Sequence, residues 1–549
     1  MDEPRRIPGR GVPNLEVLVK IAFFGLLFSS ALCSPLCAPL GAQTLHALTS
    51  DGDMVGGSLV GELRLVTVDP LGVVFLDVAT SPFDGDSILL RDNELFLQSG
   101  DVPPNAQFPL FQVSRLASSG EDIATILWLD TTQVGPALSQ ALYWKQHLLA
   151  MQGDLADLPG LAPEARYVAF LELRALDQAL LVLAAVEDAD DSYRACLIRY
   201  ELDSNGSVSD RALLAREGDL LSGTPHPIVD LQQTPALDAR GGWMTLAKLG
   251  PTYALLRDGK IFLQKGDPSP VPGRRFTSFQ GARFDANDLG ASVFTGTIEG
   301  DESTNELLVR GGRAFLQEGQ VLDALDPAVL EDFTDAPIYL TNSGDVFWLA
   351  DTSAGHAFMR NEEVIVREGI TDVDGRKVQR IFRLLDNLHA VTRDGRFWVG
   401  EVGFDDQDRT LIGIDFGAAV PLPGCSGQQG LRLVGGKVLT GTSIKLGLDS
   451  APTLGMQGVA FVSTRRLGAG CGHAFAIGEL LVDPTHLMAR LPVGTFTGTR
   501  LDLPIALPND PSLVDLQVFV QGLWLDAGGT LPGPNMLLTN ALSLEIGAP

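Results

Sequence analysis

The chain has 549 residues, of which 45% are hydrophobic and 20% are charged, with 60 glycines and 33 prolines. This length exceeds what one hydrophobic core normally holds, so it predicts two or more domains, and the turn-rich composition argues against long helices. The 68 acidic and 40 basic side chains give a net charge of −28. Such a surface repels phosphate backbones, which argues against nucleic acid as a partner.

Residues 1–43 have the pattern of a secretory signal peptide. Four basic residues precede the apolar stretch Ile21–Leu32, and small residues and prolines follow it up to Ala42. The stretch is shorter than the roughly 20 residues that a membrane-spanning helix needs, so the pattern favours cleavage over a retained anchor. We therefore expect the mature chain to be secreted, periplasmic or exposed at the cell surface, without a membrane span.

A short motif that ends in Gly-Asp, or in a variant of Gly-Asp, occurs six times at the end of an apolar run. Aspartate follows the glycine in the first four copies, and Gln320 and Ile370 take its place in the last two. The repeat-turn residues are Gly100, Asp101, Gly153, Asp154, Gly218, Asp219, Gly266, Asp267, Gly319 and Gly369. The glycines are 53, 65, 48, 53 and 50 residues apart. A period of this length, made of short strands, is typical of a β-propeller or a β-solenoid array.

Each repeat contains signals for four strands. A polar turn with glycine, such as Asp69–Gly72, precedes an apolar strand, and a hairpin follows 10–15 residues later. Its centre, as in Asp92-Asn93, Asp258-Gly259 and Gly311-Gly312, suits a two-residue turn with positive φ. Four strands in about 50 residues correspond to one propeller blade. Residues 44–417 are thus predicted to be an all-β propeller.

The blade count follows from the repeat ends. The predicted units are 47–101, 102–154, 155–219, 220–267, 268–320, 321–370 and 371–417. Seven blades are the first choice, with six or eight as alternatives. The segment Thr44–Ser50 is a candidate for an extra strand on the last blade, which would close the ring and remove an exposed sheet edge.

The pattern changes after residue 417. Beyond the linker Pro421–Gly430, strand-like runs alternate with Gly/Pro turns, which predicts an antiparallel β-sandwich over 418–549. In an oxidising compartment we expect a disulfide between Cys425 and Cys471, whose loop would stabilise the fold by about 3–4 kcal/mol. Cys196 lies in an apolar run and is expected to be an inert, buried thiol.

Two resemblances to known protein groups add to this interpretation of the fold. Residues 47–417, with their Asn/Asp-x-x-Gly turns and later Gly-Asp, resemble tandem-repeat, propeller-like exported proteins of planctomycete-type bacteria. Residues 421–549 are similar to a C-terminal domain that many exported proteins of these bacteria share. The motifs that carry the second resemblance are Pro423-Gly424-Cys425 with Gly427, Gly470-Cys471, Leu507–Pro511, Val518–Gly522 and Leu538–Leu542. The resemblances imply export and a fold, and neither implies an activity.

No pattern of catalytic residues is visible. The seven histidines stand at unrelated places in the repeats, and nucleophile-elbow, zinc-protease and phosphate-loop motifs are absent. The histidines are His46, His147, His226, His356, His389, His473 and His486. We interpret the repeated aspartates as turn residues that accept backbone N–H bonds. The arginines before the hairpin centres, Arg91, Arg257, Arg310 and Arg360, are interpreted as an edge feature that pairs with acids.

Three acidic clusters leave calcium open as a ligand. Close carboxylates in Glu187–Asp191, Asp203–Gly206 and Asp405–Asp408 supply the oxygen ligands that Ca²⁺ prefers. All three lie between apolar runs, where a solvated hairpin tip is the more common role. We therefore expect no cofactor, with calcium as the alternative.

The sequence favours a non-catalytic, exported binding or surface protein whose partner is an unknown extracellular protein or glycan. One alternative is an extracellular glycoside hydrolase or lyase with its site in the propeller channel. The other is a cell-envelope role in which the C-terminal domain serves attachment.

Overall fold

The computed structural model describes most of the chain from His46 to Ile546. The residues left out within that range are 51–53, 56–57, 60–61, 70–72, 80–86, 93, 120–121, 133–137, 190–191, 289, 326–327, 334–336, 383–387, 405–408, 417, 423–430, 436–437, 439–440, 449–450, 452–454, 468–472, 476–477, 498–499, 514–515 and 527–535. The predicted signal peptide, Cys425 and Cys471 lie outside the described residues. Residues 44–549 form one compact unit.

The prediction of an all-β chain is confirmed. The helices in the described part are single 3₁₀ turns at Glu302–Thr304, Asp323–Leu325, Pro484–His486 and Pro511–Leu513, and no helix there is long and apolar enough to cross a membrane. A two-stranded hairpin, Met54–Val55 with Ser58–Leu59, precedes the first larger sheet.

Seven antiparallel sheets follow one another along the chain, and one falls within each predicted unit. Sheet 1 contains Glu62–Val68, Val74–Ala79, Ser87–Arg91 and Glu94–Gln98. Sheet 2 contains Leu110–Ser119, Asp122–Asp130, Leu138–Trp144 and His147–Met151. Sheet 3 contains Arg166–Leu176, Ala179–Glu187, Tyr193–Leu202 and Val208–Arg216. Sheet 4 contains Ile228–Leu237, Trp243–Leu249, Thr252–Arg257 and Lys260–Gln264.

The first strand is divided into short pieces in the next three sheets. Sheet 5 contains Phe276–Ser278, Phe284–Ala286, Ser292–Ile298, Glu306–Arg310 and Arg313–Gln317. Sheet 6 contains Val321–Leu322, Ala328–Asp332, Tyr339–Leu340, Val346–Thr352, Gly355–Arg360 and Glu363–Arg367. Sheet 7 contains Arg380–Ile381, His389–Val391, Phe397–Gly403 and Arg409–Asp415. A small hairpin, Asp372–Val373 with Arg376–Lys377, connects sheets 6 and 7.

Each sheet buries its apolar residues against the next one, and the series returns to its start. Six hydrophobic clusters join consecutive sheets from sheet 1 to sheet 7. A seventh cluster joins sheet 7 to sheet 1, through residues such as Val399 and Leu411 on one side and Val66 and Leu76 on the other. No sheet has to bury both of its faces alone, because each uses its two neighbours for that purpose.

The N-terminal strand belongs to the last sheet of the series. His46–Ser50 pairs antiparallel with Arg409–Asp415, with Ser50 opposite Thr410. The two hydroxyls of this pair lie 2.9 Å apart. The prediction that Thr44–Ser50 completes the last repeat is confirmed by this pairing.

The repeat glycines stand two residues after the end of the last strand in each of sheets 1 to 6. Their φ angles run from 72° at Gly369 to 92° at Gly218 and Gly266, a region that costs glycine little. Each glycine N–H donates to a carbonyl near the start of the next sheet, for example Gly100 to Leu110 at 2.8 Å. The carboxylates of Asp101, Asp154 and Asp267 accept the amides of Gln98, Met151 and Gln264 at 2.7–3.0 Å. Asp219 instead lies 3.3 Å from the guanidinium of Arg216.

The turns between first and second strands use side-chain acceptors. The side chains of Asp69, Asp238 and Asn287 accept the amide four residues ahead at 2.8–2.9 Å. In sheet 6 the hydroxyl of Thr341 accepts the amide four residues ahead, and in sheet 7 the hydroxyl of Thr392 accepts the amide five residues ahead. The backbone N–H groups of Asp69, Asp238 and Asn287 also donate to the carbonyl four residues ahead, at 2.9–3.0 Å. Side-chain and backbone bonds thus fix the chain reversal together.

The residues after 417 form separate sheets. A five-stranded sheet has the order Ala418–Leu422, Met536–Glu545, Gln517–Leu525, Gln457–Ser463 and Leu487–Thr495. A three-stranded sheet has the order Leu431–Gly435, Ser443–Leu448 and Leu501–Ala506, and His473–Phe475 pairs with Gly478–Leu480. The two larger sheets share one core that includes Leu446, Val520, Trp524 and Leu542.

Candidate functional site

The first strands of all seven sheets line one central cavity of about 410 Å³. The turns that follow these strands also contribute, because each turn leads from a first to a second strand at the same end of its sheet. Ligand pockets commonly have volumes of 300–1,000 Å³. This central cavity is therefore the main candidate for a binding site.

An ion pair joins the cavity walls of sheets 2 and 3. Arg115 donates from Nε and Nη2 to Oε1 of Glu172, at 3.0 and 2.9 Å, and from Nη1 to the carbonyl of Ser114 at 2.8 Å. The hydroxyl of Thr234, in sheet 4, donates to Oε2 of the same Glu172 at 3.0 Å. The Arg115 guanidinium and the Glu172 carboxylate are thus occupied by protein partners.

A second group of charges centres on Asp285, in sheet 5. Its Oδ1 accepts from Nη2 of Arg174 at 3.2 Å and from Nη1 of Arg393 at 3.5 Å, and its Oδ2 accepts the Leu340 amide at 2.9 Å. Arg174 lies in the first strand of sheet 3 and Arg393 follows the first strand of sheet 7. One buried carboxylate therefore holds two arginines that approach from different sheets.

Arg393 connects sheets that are distant in sequence. Besides Asp285, it donates to the carbonyls of Ala286 and Leu237, the latter at 3.0 Å. Burial lowers the pKa of Arg393, and the neighbouring Asp285 carboxylate opposes this shift. These bonds tie the turn of sheet 7 to sheets 4 and 5.

Asn342 fixes the turns of sheets 5, 6 and 7 to one another. Its amide group donates to Asp288 Oδ2 and accepts the Asp288 N–H at 3.0 Å, while its own N–H donates to the Arg393 carbonyl at 2.7 Å. Asn287 adds a bond from Nδ2 to the Thr341 carbonyl at 3.0 Å. The turn end of the cavity is thus held by polar contacts between sheets.

His389 belongs to the cavity wall, but its ring lies in the core. The ring stacks on Phe358 with 5.1 Å between centroids and lies 6.0 Å from Trp398. Nε2 is bonded to the Phe382 carbonyl at 2.8 Å, and burial lowers the pKa of His389 to about 4. The imidazole is therefore neutral at neutral pH and packs as an aromatic ring.

Two carboxyl groups with raised pKa values lie away from the cavity lining. Burial raises the pKa of Asp77 to about 7, against the opposing effects of the Ser87 hydroxyl and Arg64. Burial, and then hydrogen bonding and repulsion from Asp332, raise the pKa of Glu306 to about 8. Neither side chain lines the central cavity, so they supply no acid group there.

Among the histidines whose side chains the structure describes, none are brought together at one site; the side chains of His46 and His473 lie outside that set. His147 opens the fourth strand of sheet 2, while His356 bonds Glu368 through Nδ1 at 2.9 Å in sheet 6. His486 lies near Asp483 in the C-terminal part, with Nδ1 2.8 Å from Oδ2. These environments are unrelated, and His389 is the one that contributes to the central cavity.

The acidic clusters show turn geometry where they are described. Asp203 accepts the amides of Asn205 and Ser207 at 2.9 Å each, and Asp188 accepts the adjacent Ala189 amide at 2.9 Å. Asp190, Asp191 and residues 405–408 lie outside the described residues. Within the described part of the chain, no group of three or more His, Cys, Asp or Glu side chains is arranged to hold a metal ion.

The repeated arginines join neighbouring sheets. Arg257 donates to the Gly290 carbonyl of the next sheet at 2.7 Å, and Arg310 to the Gly344 carbonyl at 3.4 Å. Arg199, which is not one of the repeated arginines of the sequence, donates to the Gly241 carbonyl of the next sheet at 2.9 Å. Arg360 instead pairs with Asp345 in its own sheet at 2.6 Å.

Cys196 is buried, and burial raises the pKa of its thiol to about 12.

Sequence reasoning did not identify Arg115, Glu172, Arg174, Asp285 or Arg393. A signal was present, because Glu172 and Arg174 interrupt the otherwise apolar run of a first strand. Charged residues in such a strand face either solvent or a shared polar cavity. Without the positions of the other six first strands, these two options were not distinguishable.

No family model matches this chain, and no curated protein matches it. Among solved structures, the chain is similar to a Trypanosoma rangeli sialidase in complex with the inhibitor DANA, with 8% identity, a TM-score of 0.30 and coverage of 91% of this chain and 94% of the other. It is also similar to a Penicillium chrysogenum alpha-L-arabinanase complexed with arabinobiose, with 11% identity, a TM-score of 0.29 and coverage of 58% and 98%. A PQQ-bound aldose sugar dehydrogenase from Streptomyces coelicolor gives 12% identity, a TM-score of 0.27 and coverage of 69% and 99%. These values assign neither a family nor an activity to the chain.

Proposed function

We propose that the protein is a non-catalytic binding protein, built on a seven-bladed β-propeller with a C-terminal β-sandwich, and that it binds a small glycan in the central cavity. The propeller assignment is supported by seven consecutive sheets whose clusters return from sheet 7 to sheet 1. The sandwich assignment is supported by the core that the two larger C-terminal sheets share.

The observation that carries the function is that two carboxylates of the cavity, Glu172 and Asp285, are fully engaged by the protein. Both oxygens of Glu172 and both oxygens of Asp285 accept hydrogen bonds from protein donors. A glycosidase acid needs a raised pKa and a free position beside the scissile bond, whereas the carboxyls with raised pKa values lie elsewhere. A pre-organised polar cavity of this size suits one or two sugar rings better than it suits the flat surface of a partner protein.

Binding to a sugar panel tests the proposal. We expect isothermal titration of the purified protein with mono- and oligosaccharides to show saturable binding. The variant Val391→Trp adds an indole to the cavity lining of sheet 7 and should abolish binding, because the indole occupies the ligand volume. Val391 also packs against the core between sheets 6 and 7, so an unchanged melting temperature must show that the variant is folded. The control Val329→Trp places the same ring at an exposed position of sheet 6 and should bind normally. Absence of binding across the panel, or binding that Val391→Trp leaves intact, would refute the proposal.

An enzyme remains the second candidate because Glu172, Asp285 and Asp288 line the same cavity. Paired carboxylates are the usual groups of glycoside hydrolysis. Turnover of chromogenic glycosides by the wild type, lost in both Glu172→Gln and Asp285→Asn, would favour it. The binding proposal predicts no turnover with any of these three proteins.

Export, the Cys425–Cys471 disulfide and membership of the planctomycete-type exported group are also proposed, on the sequence patterns alone. Mass spectrometry of the protein from its native host tests the first two. A mature N-terminus near residue 43 and a linked pair of cysteine peptides are expected. Deleting residues 421–549 and following the location of the protein tests attachment, since an unchanged location would exclude it.

A further inference from the structure

We infer that the ligand in the central cavity carries a carboxylate group and that Arg174 binds it, an inference that rests on the proposed function. The ligand class is thus an acidic sugar, such as a uronic acid or an oligosaccharide that contains one. The inference comes from the unequal use of the arginines that line the cavity.

Arg174 has donors that the protein does not use. Its single hydrogen bond goes from Nη2 to Asp285 Oδ1 at 3.2 Å, and its side chain is 24% exposed. Nε and Nη1 have no partner among the described residues, although the residue lines the cavity. A guanidinium has five N–H donors, so most of those of Arg174 are available to a ligand.

Arg115 and Arg393 differ from Arg174 in this respect. Arg115 uses all three of its nitrogen atoms on Glu172 and Ser114. Arg393 uses both terminal nitrogens on Leu237, Ala286 and Asp285, and it is the more enclosed residue. Arg115 and Arg393 thus connect sheets, and of these three arginines Arg174 has the most unused donors. The fourth arginine of the lining, Arg283, also interacts with the protein.

Within the described part of the chain, Arg174 has one acidic side chain in hydrogen-bond contact, and it shares that side chain with Arg393. Asp285 accepts from both arginines and also from the Leu340 amide, so its single negative charge is divided between two cations. Arg393 has a further acidic neighbour in Asp288, which also lines the cavity. A ligand carboxylate would place a second negative charge beside Arg174. Charge-assisted bonds of this kind are short and stronger than neutral ones, and they gain further strength where water is partly excluded.

The experiment compares acidic sugars with their carboxyl-reduced, neutral counterparts. In isothermal titration of the purified protein, we expect the acidic form to bind at least about tenfold more tightly, which corresponds to one charge-assisted contact. Arg174→Met should remove this preference, and Arg174→Lys should keep part of it because it keeps the charge. Arg313→Met is the control, since Arg313 is an exposed arginine of sheet 5 outside the lining.

Each outcome separates the inference from the function on which it rests. If neutral and acidic sugars bind equally, or if Arg174→Met keeps the preference, the carboxylate inference is wrong while glycan binding stands. If no sugar binds, both fail. Circular dichroism and the melting temperature of Arg174→Met establish whether it is folded. If it is not, Arg174→Lys and the salt dependence of the preference, which should shrink at high salt, decide the question.

Discussion

Asp345 and Arg360 form the most deeply buried ion pair of the described residues, with 1% and 3% exposure. Burial alone would raise the pKa of Asp345, but the charge and hydrogen bonds of Arg360 and bonds from Asn361 and Ser343 outweigh it and hold the pKa below its usual value. The carboxylate is therefore charged inside sheet 6 and depends on its donors.

Removing Arg360 should be costly for stability. Arg360→Met leaves the Asp345 charge buried without its cation, which typically costs about 3–5 kcal/mol. Urea unfolding measures the difference from the wild type. Arg313→Met, at an exposed site, should change the free energy of unfolding by less than about 0.5 kcal/mol. An equal, small effect of both substitutions would contradict the role of the pair.

Glu306 gives the protein a pH dependence of known sign. Its pKa is raised from 4.5 to about 8 in the folded state, first by burial and then by Asp332, so the folded state binds this proton more tightly than the unfolded state. This contribution to stability is complete below about pH 4.5 and is lost as the pH rises towards 8. Melting temperatures between pH 5 and pH 9 should therefore fall less steeply for Glu306→Gln than for the wild type. Parallel curves for the two proteins would disprove this assignment.

Among elements, the turns were the most predictable part of the fold. Asp258-Gly259 and Gly311-Gly312 were expected to form two-residue turns, and all four residues have positive φ between strands paired at Arg257–Lys260 and Arg310–Arg313. Short turns follow from local preferences of Asp, Asn and Gly, which act within four residues. The same locality explains why the bonds from Arg257 and Arg310 to the next sheet were missed, since their acceptors are backbone carbonyls over 30 residues away.

A substitution at a repeat glycine tests the turn directly. Gly266 has a φ of 92°, and no atom lies within 4 Å of the place where a Cβ would stand, so a substitution there strains the backbone without a clash. Gly266→Ala should cost about 1–2 kcal/mol in chemical unfolding. Gly266→Asn should cost less, because asparagine tolerates the left-handed region better. The reverse order of the two variants would contradict this explanation.

At the scale of the whole molecule, the sequence repeats predicted the series of sheets, but they did not predict which charged side chains line the cavity. Arg174 lies 111 residues from Asp285, and Arg393 lies 108 residues from it. Only the closed sequence of sheet contacts brings these three side chains together, and no local pattern encodes their proximity. Sheets 2 and 3 supply Arg115, Glu172 and Arg174 to the cavity, and sheet 7 supplies Arg393.

The strand His46–Ser50 should be essential for closing the series of sheets. Its deletion exposes the edge of Arg409–Asp415 and removes the contacts of Leu48 with the cluster between sheets 7 and 1. We expect a lower melting temperature and concentration-dependent aggregation, since open edges pair with other chains. A synthetic peptide of residues 44–52 should partly restore the melting temperature, and a scrambled peptide should not. An unchanged melting temperature after the deletion would contradict the role of this strand.

The pairing of Ser50 with Thr410 spans 360 residues, and this separation sets an order for biogenesis. The strand that is translated first has no partner until the ribosome has made nearly the entire repeat region. Early sheets can collapse on one another as they emerge, yet the outer edge of Arg409–Asp415 in sheet 7 stays unpaired until His46–Ser50 reaches it. Because such long-range closure is slow, we expect the docking of His46–Ser50 onto sheet 7 to be a late step in the folding of the repeat region.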